Sequence, residues 1–512
     1  RVSTNGGLVT ENWFDLNASR YTASSTLQRM ELLKTGYMGT LSLGWDNYLF
    51  LELTGRQERS STLKDQSFFY PSANLSFLFS NAFRMPAWWN HGKLRLSYGV
   101  VGNAPETYAA NIIYEQGSDN GFTWNYVPSS WGNANIRPEK KYEYEIGFES
   151  KFLNNRLGFD VSYYNNRVKD QILSTPQPST SGVKYVLMNV GEVANEGWDI
   201  SVSATPVLTK NFRWDLTANY GIYRNKVVKL ADGVPYLEIS NIGGGGAKIQ
   251  AVEGRPMGDI YVQVPQMNEN GEYLVSDKGL YMNQTELQRV GNINPDGVGG
   301  LFSSFSYKNI FLDFSIDFRI GGDVINEMYQ YSTASGLTPE SLQFRDTEHG
   351  GLSYYYPGNN NASGVPVQVD PSLGAGPNGE TVYHDGVILP GVVASTGEKN
   401  TRIIPAGYYY NQTYNWGTQP EQLTYRHSVF DNSYVKLREL TIGYQFPEKL
   451  ISKLGMTRLS VSVFGRNLFY FYKALKNYDA ESSVGTSWAS QAVVGGSTTA
   501  TRNFGVSLRA SF

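Results

Sequence analysis

The chain has 512 residues, a net charge of −3 and no cysteine, which excludes disulfide scaffolds, zinc–cysteine sites and an electrostatic case for nucleic acid as partner. Single soluble cores stop growing near about 250–300 residues, whereas a β-barrel merely widens as strands are added. With 36 Tyr, 25 Phe, 10 Trp and 53 Gly beside only 17% charged residues, the composition leans toward the barrel.

No stretch approaches the roughly 18–20 uninterrupted apolar residues of a membrane helix. The mean hydropathy of −0.37 looks soluble. A membrane barrel gives neither signal, because its strands carry apolar side chains only at alternate positions. The sequence starts at Arg1 with no Met and no signal peptide, so a mature, processed or fragmentary chain is expected.

In chain order, period-two alternation predicts about thirteen strands: 36–45, 48–59, 68–79, 93–102, 139–152, 156–168, 192–206, 212–228, 299–307, 310–322, 433–446, 457–469 and 501–512. In the sixth, Leu157, Phe159 and Val161 alternate with Gly158, Asp160 and Ser162; in the tenth, Phe314, Ile316 and Phe318 alternate with Ser315, Asp317 and Arg319. Most of these runs reach the roughly 9–11 residues of a tilted strand crossing a bilayer, whereas soluble strands average about five or six. Tight turns at 46–47, 154–155, 209–211 and 308–309 alternate with long links at 103–138, 171–191, 229–298, 323–432 and 470–500, while the connections at 60–67, 80–92 and 447–456 are of middling length. Outer-membrane barrels segregate loop length by end in this way; a soluble propeller or sandwich has no reason to.

The polar face carries Glu52, Arg56, Glu58, Asp160, Arg213, Asp215, Asp313, Asp317, Arg319 and Arg466, charges of both signs that suit a solvated lumen. Glu143, Glu145 and Glu149 imitate paired glycosidase acids, but their even spacing on a strand puts them on that same face. His91, His349, His384 and His427 form no metalloprotease spacing, no nucleophile elbow occurs, and Gly243 to Gly246 reads as a loop. The run Asn292-Ile-Asn294-Pro-Asp296-Gly297 imitates a calcium loop, yet Ser303 occupies its twelfth position and the segment reads as a turn. No catalytic residue, metal or cofactor is predicted. The long loops carry aromatic clusters, from which Trp124, Tyr126, Trp131, Tyr355, Tyr409, Trp416 and Trp488 are candidate substrate contacts, since rings stack on sugars and pack on peptide side chains.

Several stretches resemble the SusC/RagA family of TonB-dependent transporters. These are KLRLSYGVVGN ending at Asn103, RPEKKYEYEIGFES with NNRLGFDVSYYNNRVKDQI ending at Ile172, and NEGWDISVSATPV ending at Val207, which carries Asp199 where that family more commonly has Glu. SYVKLRELTIGYQFP, VFGRNLFYF and a last strand ending on Phe512 complete the series, and the order spans nearly the whole chain. The resemblance implies an all-β, antiparallel transmembrane barrel of 22 strands, of which this chain supplies about 13 C-terminal ones. It also implies a plug and a TonB-binding segment, neither matched in this sequence, and a SusD-like surface lipoprotein as lid. The implied function is active import of oligosaccharides or peptides across the outer membrane, with outer-membrane lipid and TonB as further partners and no nucleic acid. A passive porin or adhesin-like barrel is the alternative, and a surface hydrolase a more distant one. Residues 1–35 are expected to be an extracellular loop segment and 36–512 the barrel portion. Thirteen strands with an extracellular start cannot close a bacterial barrel, whose strand number is even with both ends in the periplasm, so an N-terminal piece is expected to complete it.

Overall fold

The structure, a computed structural model, describes all residues except 1, 26–29, 64–65, 112, 120–121, 232, 416–424 and 497–499. Thirteen long strands form one antiparallel sheet in strict chain order. They are β1 (Lys34–Trp45), β2 (Leu49–Ser60), β3 (Ser67–Phe77), β4 (Trp89–Asn103), β5 (Glu139–Phe152), β6 (Leu157–Lys169) and β7 (Glu192–Leu208). After them come β8 (Phe212–Lys229), β9 (Gly297–Tyr307), β10 (Ile310–Ile320), β11 (Tyr434–Gln445), β12 (Arg458–Lys473) and β13 (Asn503–Ser511).

Each expected strand has its counterpart, and the differences lie at the ends. β3 stops at Phe77 because Phe79–Ala82 winds into a short helix. β4 starts at Trp89 rather than 93, as the Phe79 ring packs over Gly92 so closely that its carbons would lie 2.2 Å from an added Cβ. β10 ends at Ile320 because Gly321 and Gly322 turn to φ 70° and 80°. β12 continues to Lys473, paired with Tyr434. Left-handed Asp46 and Asn47 close the first hairpin, and Leu153, Asn154 and Asn155 close the second tight turn.

Register settles the faces, since residues opposite one another share a side of the sheet. One row runs Lys93, Glu149, Asp160, Ser201, Asn219, Gly300, Asp317 and Lys436 across β4 to β11. The adjacent row runs Leu94, Phe148, Val161, Ile200, Tyr220, Gly299, Phe318 and Val435. A continuous apolar face is therefore backed by a continuous polar one. Much of the apolar face is open, as at Ile146, Val463 and Val506, which are 50%, 57% and 71% exposed. Among the described residues β1 and β13 pair on one side only, so the sheet is open at both edges.

The tight turns gather at one end of the sheet and the long links at the other, where the short 61–66 connection also lies, and the long links fold. The 230–296 link builds a four-stranded sheet from Tyr236–Ile242, Ala247–Val252, Asp259–Val262 and Gln288–Asn292. The 321–433 link holds helices α1 (Glu327–Ala334) and α2 (Ala406–Tyr414) and a second small sheet. Buried Ile249, Ile260 and Val262 of the first link meet Ile325, Tyr425 and Val429 of the second and Ala489, Ala492 and Val493 of 474–502 in one core. Ile325 pairs with Val429 on one side and Val493 on the other, stitching two of the links by backbone. Burying an Ile or Val contributes about 1.5–3 kcal/mol, so these three links order one another. At the same end, the Ser61 amide donates to the Leu33 carbonyl at 2.9 Å and the Glu31 amide to the Tyr108 hydroxyl at 3.2 Å, placing the residues before β1 among the long links.

Candidate functional site

The polar face is wired by cross-strand pairs. Arg95 reaches Asp160 at 2.6 Å and Glu149 at 3.5 Å, tying β4, β5 and β6. Asn166 donates to Glu143 at 3.1 Å, and Asn195 to Asn166 at 2.8 Å, so amides relay across β5, β6 and β7. Two of the carboxylates that imitate glycosidase acids are thus occupied: Glu143 also pairs with Lys141 at 2.5 Å, and Glu149 lies 3.6 Å from His91. Two cavities open on this face. One, of about 640 Å³, is lined by residues that include Asp160, Asp199, Asn219, Asp317, Arg319 and Tyr434. The other, of about 550 Å³, has Asp313, Glu439, Arg458, Arg466 and Arg509 in its wall.

Where the polar face meets the loops, a charge cluster joins the sheet to the crown formed by the three interlocked long links. Arg438, at a bulge in β11, donates to Asp317 at 2.6 Å and to Glu481 at 2.5 Å, and its Nη1 donates to Asn467 at 2.9 Å. Lys436, 2% exposed, donates to the same Glu481 at 2.5 Å. Burial works against the Glu481 charge, but Arg438 and Lys436 overcome it and hold its carboxyl below the usual range. Asp479 is likewise held low: burial opposes it, while the Tyr470 hydroxyl and the amides of Ala500 and Glu481 bond its carboxylate. The sequence showed Lys436 and Arg438 two apart on a strand, yet gave no sign of Glu481, which arrives from a loop.

The seven candidate rings fall in separate places. Trp124 and Tyr126 lie on a protruding hairpin (Glu115–Asp119 with Phe122–Tyr126), 47% and 44% exposed. Trp131 extends a three-stranded sheet with Ile172–Pro176 and Tyr185–Asn189, and its ring lies 6.4 Å from that of Tyr114. Tyr355 ends a strand (Leu352–Tyr355) whose neighbouring Tyr354, not Tyr355, packs with the Tyr356 and Tyr383 rings. Tyr409 packs on α2 with its ring 4.9 Å from Tyr410, and burial pushes its hydroxyl up to about 12. Trp488 donates to the Asn294 side chain at 3.3 Å and lies over Gly258, where φ is 93°. Trp416 lies outside the described residues.

The calcium-like run behaves as the turn expected. The Asn292 amide nitrogen donates to Asp259 at 2.9 Å and that of Asn294 to the Met257 carbonyl at 2.7 Å, so these side chains serve the protein's own groups. One Ser–His contact occurs in the crown, Ser353 Oγ to His384 Nδ1 at 2.8 Å, but Ser353 is 3% exposed and offers no accessible nucleophile.

Several known proteins share this architecture. TonB-dependent receptor P3 of Formosa agariphila is 22% identical over 494 residues, covering 88% of this chain and 42% of that protein. TonB-dependent receptor SusC of Bacteroides thetaiotaomicron is 27% identical over 256 residues, covering 44% of this chain and 24% of that protein. The structure of the RagAB peptide transporter matches with a TM-score of 0.69 at 18% identity over 98% of this chain and 50% of that one, a likeness of fold. The chain therefore spans half or less of the length of these relatives. Residues 4–260 match the family described as TonB dependent receptor-like, beta-barrel, and the chain belongs to that family, as a SusC/RagA-like member.

Proposed function

We propose that this chain is the wall and outer loop crown of a TonB-dependent importer that takes oligosaccharides or peptides across the bacterial outer membrane. A SusD-like lipoprotein caps the crown, and TonB engages a part of the protein outside this chain. The observation that carries the reading is the union of a charge-paired polar face with three long links folded into one structure at a single end of the sheet. A passive pore needs no such crown. The RagAB neighbour is a peptide transporter by description, which favours peptides among the two substrate classes.

In this reading residues 1–35 are an extracellular segment, and about nine further strands close the two open edges to make 22. Unpaired amide and carbonyl groups in hydrocarbon cost several kcal/mol each, which supports closure by added strands. The exposed rings Trp124, Tyr126 and Trp488, with Trp131, Tyr355, Tyr409 and Trp416, are the proposed substrate contacts.

The test is uptake by cells expressing the full-length protein, offered labelled oligopeptides or oligosaccharides, before and after collapse of the proton-motive force. Energy-dependent uptake of one class, lost on deleting residues 353–416 while the barrel still inserts, is expected. Uptake indifferent to the collapse would make the protein a passive pore.

A further inference from the structure

The apolar face changes character toward the long-loop end, chiefly in one sector, although β2 also carries an outward Arg59 opposite Thr35 and Ser67. On β8 it runs from Phe212 to Ile222, which at about 3.3 Å per residue and a tilt near 40° makes a band about 25 Å tall. Tyr144, Tyr163 and Trp198 rim its upper border on β5 to β7, with the Tyr163 and Trp198 rings 5.0 Å apart. Immediately above, still on the outward face, the rungs carry Arg224 opposite Glu196, Lys226 opposite Ala194, Arg167 opposite Tyr142, and Lys140 opposite Lys169. Arg167 and Lys169 share one carboxylate, Glu192, at 2.9 and 4.0 Å. Lys140, Arg224 and Lys226 have no carboxylate partner among the described residues, and the last two are exposed. With Lys229 opposite Glu192, six cations thus face outward against two carboxylates. On β10 and β12 the outward face carries Ile320, Phe469 and Phe471, 47%, 45% and 57% exposed, and not cations, so the cations form a patch and not a general belt.

We infer that this outward patch of Lys140, Arg167, Lys169, Arg224 and Lys226 binds the phosphate-bearing glucosamine headgroups of the outer leaflet's glycolipid. The inference rests on the barrel reading, which sets these side chains at headgroup height. Charge complementarity then selects the occupant: water alone needs no clustered, unpaired cations above an aromatic rim, whereas phosphates in that layer take them directly. Lys and Arg stems can lie along the apolar band while their heads reach the phosphates.

The experiment uses the full-length protein in phosphatidylcholine nanodiscs holding either diphosphoryl lipid A or the same lipid stripped of phosphate, with retained lipid counted by native mass spectrometry. Wild type is expected to retain the phosphorylated lipid on the order of tenfold or more above the stripped one. The triple variant Lys140→Gln, Arg224→Gln, Lys226→Gln should lose that preference, and Lys308→Gln, in a turn at the opposite end, should keep it. Equal retention of both lipids by wild type, or an unchanged preference in the triple variant, overturns the inference. A folded, heat-modifiable band in each sample reads the barrel separately; its absence in wild type would overturn the barrel reading as well.

Discussion

Removing Glu481 should unfasten the crown from the wall. Its carboxylate takes one bond from Lys436 and two from Arg438, at 2.5 to 2.9 Å, and Lys436 beneath it is 2% exposed. Losing one partner of a buried charged pair costs about 3–5 kcal/mol. Arg438 keeps Asp317, and the Glu481 side chain is 28% exposed, so Glu481→Ala is expected to cost about 2–3 kcal/mol. At 1.4 kcal/mol per factor of ten, opening of residues 474–502 becomes about thirty- to a hundredfold more frequent. Hydrogen exchange on the full-length protein in detergent reads this directly, as a loss of amide protection confined to that loop. Adding Lys436→Met to the variant should recover part of it by removing the stranded charge. Unchanged protection in Glu481→Ala would show that this cluster does not hold the crown.

Three further outcomes follow from the same geometry. Ile260→Ala, at a fully buried position in the core shared by three links, should cost about 2–5 kcal/mol and raise proteolysis of 230–296, 321–433 and 474–502 together; loosening of the first link alone would show them independent. Because the Asp479 and Glu481 carboxyls are held low in the folded state, their stabilisation is present above the ordinary values of about 3.9 and 4.3 and fades as pH falls through the folded ones. Trp488 fluorescence should therefore report loop loosening below about pH 4; a signal flat to pH 2 would contradict it. Ile316→Arg on the apolar face should destabilise the bilayer-inserted protein by about 2–4 kcal/mol and Ser315→Arg by much less, as measured by urea unfolding from vesicles.

The wall was legible in the sequence because alternation encodes it residue by residue: Leu157, Phe159 and Val161 fall on one face whatever their neighbours do. Its ends were less legible, since the reach of β4 to Trp89 depends on Phe79 closing over Gly92, a contact no local pattern reports. The crown was legible only as length and aromatic content. Its order comes from Ile249, Ile325 and Val493, which meet across more than two hundred residues of sequence, and from Glu481 finding Lys436 and Arg438. In the sequence the candidate rings stand out by residue type alone. Type separates neither the exposed Trp124 from the packed Tyr409 nor a contact residue from a strut, because burial is set by partners distant in the chain.

Which face of the sheet meets lipid is tested most directly by spin labels at Phe314 and Ser315, adjacent on β10 and on opposite faces. These 512 residues contain no cysteine, so single cysteines placed there in the full-length protein would be the only labelling sites within this stretch. In liposomes the label at 314 should collide with oxygen dissolved in the bilayer, and the label at 315 with a water-soluble nickel reagent. Equal accessibility at the two positions would contradict a membrane barrel with a polar interior.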